Sequence, residues 1–135
     1  MLQKTRRPRP KSKDFWELGL GIMGRQNSRA SNATLTRQYV AFFGSEPLFI
    51  SILWYLLDRS QWIYHGPNIH PCHLLWTLHF LKVYATEAVT AMKLRCDEKT
   101  YREKVWFLLQ GIARLDKTLV STNMLLYKNQ IISMM

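Results

Sequence analysis

Toward the end of the chain the apolar residues recur with a helical period. Tyr101, Val105, Leu108, Leu109, Ile112 and Leu115 stand at i, i+4, i+7, i+8, i+11 and i+14. That spacing places all six on one side of a helix, and such a side must pack against other helices. The segment is predicted to begin at Asp97 and to reach roughly Leu115. Leu48, Ile52 and Leu56, with Phe49, Leu53 and Leu57, repeat at intervals of four and predict another helix. Ser45 is expected to cap it, with Glu46 and Pro47 in its first turn, where an acid suits the dipole and a proline loses no hydrogen bond.

Punctuation divides the rest. A helix capped by Thr34 or Thr36 is expected to stop at Gly44. Asp58 to Pro71 contains Gly66, Pro67 and Pro71 and reads as an exposed loop. A further helix is expected from Pro71 to about Tyr84, and a short one over Glu87 to Lys93. No strand signal stands out before Leu125–Ile132, which is ambiguous. The fold class is therefore all-α, with about five helices including a helix-turn-helix.

Charge is uneven along the chain. The protein has 19 Lys and Arg against 9 Asp and Glu, a formal charge of +10. Residues 1–37 hold nine of the bases and two acids, a local charge of +7. The run from Lys4 to Lys13 mixes six charges with two prolines and cannot bury a face. The two glycines of the apolar island Phe15–Ile22 argue against a stable helix, and residues 24–33 read as linker. Residues 1–33 are thus expected to form a disordered basic arm, 34–118 a helical domain and 119–135 a tail of uncertain structure. No apolar run follows the first bases, which opposes a secretory signal. Two cysteines, Cys72 and Cys96, are too few for a disulfide framework.

A basic excess of this size points to an anionic partner. The best constellation for one is Thr86 to Val105. A helix-turn-helix needs a small contact in its first helix, an apolar end, a tight turn and apolar anchors in the second helix. Ala91, Leu94, Cys96, and Tyr101 with Val105 fill those roles. Asp97 is expected to cap the second helix. Arg95 stands where a glycine would relieve the turn. Lys99, Thr100, Arg102, Glu103 and Lys104 then fall near the start of the second helix, where base edges and phosphates are met. Arg6, Arg7 and Arg9 of the arm are expected to meet phosphates. His65, His70, Cys72, His73 and His79 have zinc-ligand chemistry, but their spacing fits no common four-ligand pattern, so they are read as structural. Trp54, Trp76 and Trp106 are expected in the core. The apolar window Val40–Leu57 is broken by Gly44, Ser45, Glu46 and Pro47, which argues against a membrane span.

The stretch His73-Leu-Leu-Trp-Thr-Leu-His-Phe-Leu-Lys-Val-Tyr-Ala-Thr-Glu87 resembles the N-terminal helical region of PIF/Harbinger-type DDE transposase-like proteins. The blocks Phe42-Phe-Gly-Ser45, Ile52-Leu-Trp-Tyr-Leu-Leu57, Cys96-Asp-Glu-Lys-Thr-Tyr-Arg102 and Lys104-Val-Trp-Phe107 are similar as well. The resemblance spans residues 37–118. It implies a helix-turn-helix that precedes a metal-dependent catalytic domain, with the recognition helix on about Asp97–Leu115. After Asp116 the sequence has no acidic residue, and two-metal DNA chemistry needs converging carboxylates. The chain is accordingly expected to be no enzyme and to use no metal or cofactor. It is expected to bind duplex DNA such as transposon ends in the nucleus and to be capable of self-association, with no membrane and no small-molecule substrate. The alternative is a helical protein-interaction module, or a transposon remnant without function, that does not bind DNA.

Overall fold

The computed structural model describes residues 9–83 and 87–122, with side chains described through Leu115. The described residues contain six α-helices and no strand: α1 (Ser12–Met23), α2 (Asn32–Phe43), α3 (Pro47–Arg59), α4 (Pro71–Val83), α5 (Glu87–Lys93) and α6 (Glu98–Thr122). A 3-10 turn, Trp62–His65, lies between α3 and α4. Arg6 and Arg7, like the ambiguous segment Leu125–Ile132, fall outside the described residues.

The all-α expectation holds, and α1 is the principal departure. Residues 12–23 of the expected arm are helical, and Phe15 is fully buried. The physical reason is Gly19. It sits where α1 crosses α2, and a methyl group there would overlap the rings of Tyr39 and Phe43. A helical glycine costs about 1 kcal/mol relative to alanine. The close crossing that it permits buries Phe15, sets Trp16 5.4 Å from Tyr39, and lets the Tyr39 hydroxyl donate to the Phe15 carbonyl at 2.9 Å. Burial raises the Tyr39 pKa well above the ordinary phenol value, so the hydroxyl remains a donor. The N-terminus of α1 is closed by Asp14, which accepts from the Lys11 backbone N–H at 2.7 Å.

The helix boundaries shift at two caps. Ser31, rather than Thr34 or Thr36, caps α2 by accepting from the Thr34 N–H at 3.3 Å. Glu46, rather than Ser45, is the cap position of α3, with Pro47 as the first helical residue. Gly44 ends α2 in the left-handed conformation, as its position predicts.

α4 lies at the centre and packs against α1, α2, α3 and α6. Leu74, Leu75, Thr77 and His79 are therefore buried on different sides of it. Around it Phe15, Tyr39, Phe43, Ile50, Trp54, Leu57 and Leu108 form the main core. A second cluster of Ala91, Tyr101 and Val105 joins α5 to α6, with Trp76 and Phe80 of α4 beside it. The expected exposed loop is partly folded back. The Trp62 indole stacks on Phe107 at 4.8 Å, donates to the Phe107 carbonyl at 2.9 Å, and carries the Arg114 guanidinium on its ring at 4.6 Å. Gly111 makes room for that indole, since a Cβ there would collide with it.

Candidate nucleic-acid interface

The turn between α5 and α6 is built from backbone hydrogen bonds. Arg95 N–H donates to the Met92 carbonyl at 3.2 Å, and Cys96 N–H to the Ala91 carbonyl at 2.9 Å. This pair of bonds is a Schellman closure, which needs its middle residue in the left-handed region. Arg95 occupies that position with φ 58°. The site where the sequence calls for a glycine is thus a left-handed residue that is not glycine. Asp97 then caps α6, accepting from the Thr100 N–H at 3.1 Å and the Thr100 hydroxyl at 3.3 Å. Ala91, Tyr101 and Val105 are buried between the two helices, and Leu94 packs against them, in the roles that the spacing predicts.

The expected contact residues fare differently. Lys99 and Glu103 are exposed on α6. Thr100 is half-buried and committed to Asp97. Lys104 is half-buried, with its Nζ donating to the Asn68 carbonyl at 3.3 Å. Arg102 is held between two carboxylates: its Nε donates to Glu87 of α5, and a terminal nitrogen reaches Glu98 at 3.3 Å. The arginine holds the Glu87 carboxyl below its usual range, and the carboxylate raises the Arg102 pKa in turn. Both groups face solvent, so the pair fixes side-chain direction more than it adds stability.

Arg9 does not join this group. It pairs with Asp58 on α3 at 2.8 Å and lies over the Tyr55 ring at 4.6 Å. Arg59 bonds the Tyr55 hydroxyl at 3.3 Å, and the two cations lower the Tyr55 pKa, with Arg59 acting first. The structure thus brings Lys99, Thr100, Arg102 and Glu103 onto the first turns of α6. It places Arg9 on α3 and directs Lys104 toward the loop before α4.

Trp106 corrects the sequence reading. Trp54 is buried and Trp76 half-buried, but Trp106 is 48% exposed, 6.2 Å from Phe80. It lies off the Tyr101–Leu115 stripe, and that position is the signal that places it outside the core. The histidines take structural places. His73 is buried, its Nδ1 accepts from the His70 backbone N–H at 2.9 Å, and burial lowers its pKa to about 4. His79 stacks on Phe42 at 3.9 Å, with Nδ1 2.8 Å from the Phe42 carbonyl oxygen. Among the described residues, no three or more His, Cys, Asp or Glu side chains form a group that could hold a metal ion. Cys72 and Cys96 are free thiols whose pKa values burial raises.

Among the described residues no single helix is long and apolar enough to cross a membrane, and the apolar pair α2 and α3 is bent by 43°. No family model, curated protein or solved structure matches the chain.

Proposed function

We propose that this chain is a nuclear duplex-DNA-binding module without catalytic activity, of the kind that its resemblance to transposase-like proteins implies. The observation that carries the reading is the α5–turn–α6 unit. A short helix, a closed left-handed turn and a capped second helix stand in the order that a groove-entering pair needs. Lys99 is an exposed base in the first turn of α6. Arg102 is engaged by Glu87 and Glu98, so its contribution to base reading requires a phosphate or guanine to displace those carboxylates.

The N-terminal half of α5–α6 is close to electroneutral. Five bases (Lys93, Arg95, Lys99, Arg102, Lys104) stand against four acids (Glu87, Asp97, Glu98, Glu103). The excess charge resides mainly in residues 1–37. Binding is therefore dominated by phosphate contacts from that region, Arg6 and Arg7 included, and α6 supplies orientation. Affinity follows salt steeply and discriminates weakly between sequences. Fluorescence anisotropy with a labelled duplex tests the reading. Tight binding at low salt that weakens linearly in log salt supports it, and no binding at low salt refutes it.

A further inference from the structure

Three side chains at the end of α3 form a group separate from the α5–α6 unit. Arg59, the last residue of α3, donates to the Tyr55 hydroxyl at 3.3 Å. Arg9 crosses over from the segment before α1 and lays its guanidinium on the Tyr55 ring at 4.6 Å. Asp58 fixes Arg9 in that place. Its carboxylate pairs with Arg9 Nε at 2.8 Å and accepts from the Tyr64 hydroxyl, and its side chain is 10% exposed. The negative charge is thus turned inward, while the two guanidinium groups face outward.

The donors of this group outnumber its acceptors. An arginine can only donate, so the Tyr55 hydroxyl accepts from Arg59 and keeps its own hydrogen. Among the described residues nothing accepts that hydrogen, and no carboxylate pairs with the exposed Arg59. The two cations lower the Tyr55 pKa, which makes its hydroxyl a stronger donor. Two guanidinium groups and one hydroxyl donor therefore converge on one patch, and the anion that best matches them is a phosphate with several oxygens. The surrounding sequence favours a chain of phosphates over a single one. Lys4, Arg6 and Arg7 precede Arg9, and Lys11 and Lys13 follow it. A polyanion engages such a run of bases, whereas a lone phosphorylated side chain would use only Arg9, Tyr55 and Arg59.

We propose that Tyr55 and Arg59 of α3, with Arg9 laid beside them, hold a backbone phosphate of duplex DNA. The inference rests on the duplex-binding reading and adds a contact on α3 to those of α6 and of the arm. Arg102 must release Glu87 and Glu98 before it meets a phosphate. Arg59 has no carboxylate to release, and Asp58 orients Arg9 from behind.

The test measures labelled-duplex affinity against salt for the full chain and three variants that circular dichroism shows to keep their helices. Arg59→Gln should weaken binding alike on all duplex sequences and reduce the log–log salt slope by about 0.9, the value of one phosphate contact. Tyr55→Phe removes a neutral donor, so affinity should fall by about twofold to tenfold with the slope unchanged. Lys82→Gln controls for bulk charge. Lys82 is exposed beside Gly44, before the start of α3, and the length of that helix puts it roughly 18 Å from Arg59. Its loss should leave the slope at the parent value. Duplex binding that is indifferent to Arg59→Gln overturns the proposal and leaves the duplex-binding reading standing. Equal effects of Arg59→Gln and Lys82→Gln also overturn it, since overall charge then accounts for both. A chain that binds no duplex at low salt overturns the reading and the proposal together. A phosphotyrosine peptide that binds only while Arg59 is present, with duplex affinity independent of Arg59, overturns it in favour of a phosphorylated protein partner.

Discussion

Arg95→Gly is expected to stabilise the protein. Arg95 is the middle residue of the Schellman closure after α5 and has φ 58°. For a residue with a Cβ the left-handed conformation costs about 1–2 kcal/mol. Glycine avoids that cost but adds unfolded-state entropy worth about 0.4–1 kcal/mol. The difference leaves about 0.5–1 kcal/mol in favour of glycine, and for a chain of this length that raises the melting temperature by about 2–4 °C. Urea and thermal melts followed by circular dichroism read the effect. Arg95→Ala is the control, because it removes the same charge and keeps the Cβ. It should remain within about 0.5 kcal/mol of the parent, as exposed substitutions do. If glycine and alanine behave alike, the turn is not under the backbone constraint described.

Four further outcomes follow from the packing. Trp106→Ala should cost about 1 kcal/mol, because the indole is 48% exposed and otherwise lies against Phe80, whereas Leu108→Ala should cost about 2–5 kcal/mol because Leu108 is fully buried; chemical denaturation separates them. Gly19→Val should destabilise strongly, since α1 must move away from Tyr39, and the release of α1 is read as faster tryptic cleavage at Lys13. Burial holds His73 neutral with a folded pKa of about 4 against an ordinary 6.5, so the unfolded state takes up the proton first. Stability should fall as pH drops from 6.5 toward 4, and His73→Asn, which keeps an acceptor for the His70 N–H, should flatten that part of the melting profile.

The sequence was most legible where a single helix carries the signal. The stripe from Tyr101 to Leu115, the limits of α5 and the cap at Asp97 all follow from local spacing and chemistry. It was least legible where two helices define each other. The glycines of α1 read as helix breakers because Gly19 has value only against Tyr39, and the Tyr39–Phe15 bond joins residues 24 apart. Trp62 read as a loop residue because its partners, Phe107, Gly111 and Arg114, lie on a distant helix. In the candidate interface, Lys99 and Arg102 lie on α6, as the local spacing predicts. The commitment of Arg102 to Glu87 needs the docking of α5, which no spacing rule contains. Trp106 falls outside the buried stripe, but its aliphatic neighbours Val105, Leu108 and Leu109 make it read as core.

The most direct test of DNA binding is a salt titration of labelled-duplex affinity for the full chain, for the chain lacking residues 1–8, and for Lys99→Ala. The account predicts a linear log–log dependence whose slope falls by about 0.9 for each phosphate contact removed. It predicts a large loss for the truncation and a smaller one for Lys99→Ala, similar across duplex sequences. Affinity that neither the truncation nor Lys99→Ala alters, or a chain that binds no duplex at low salt, contradicts the account.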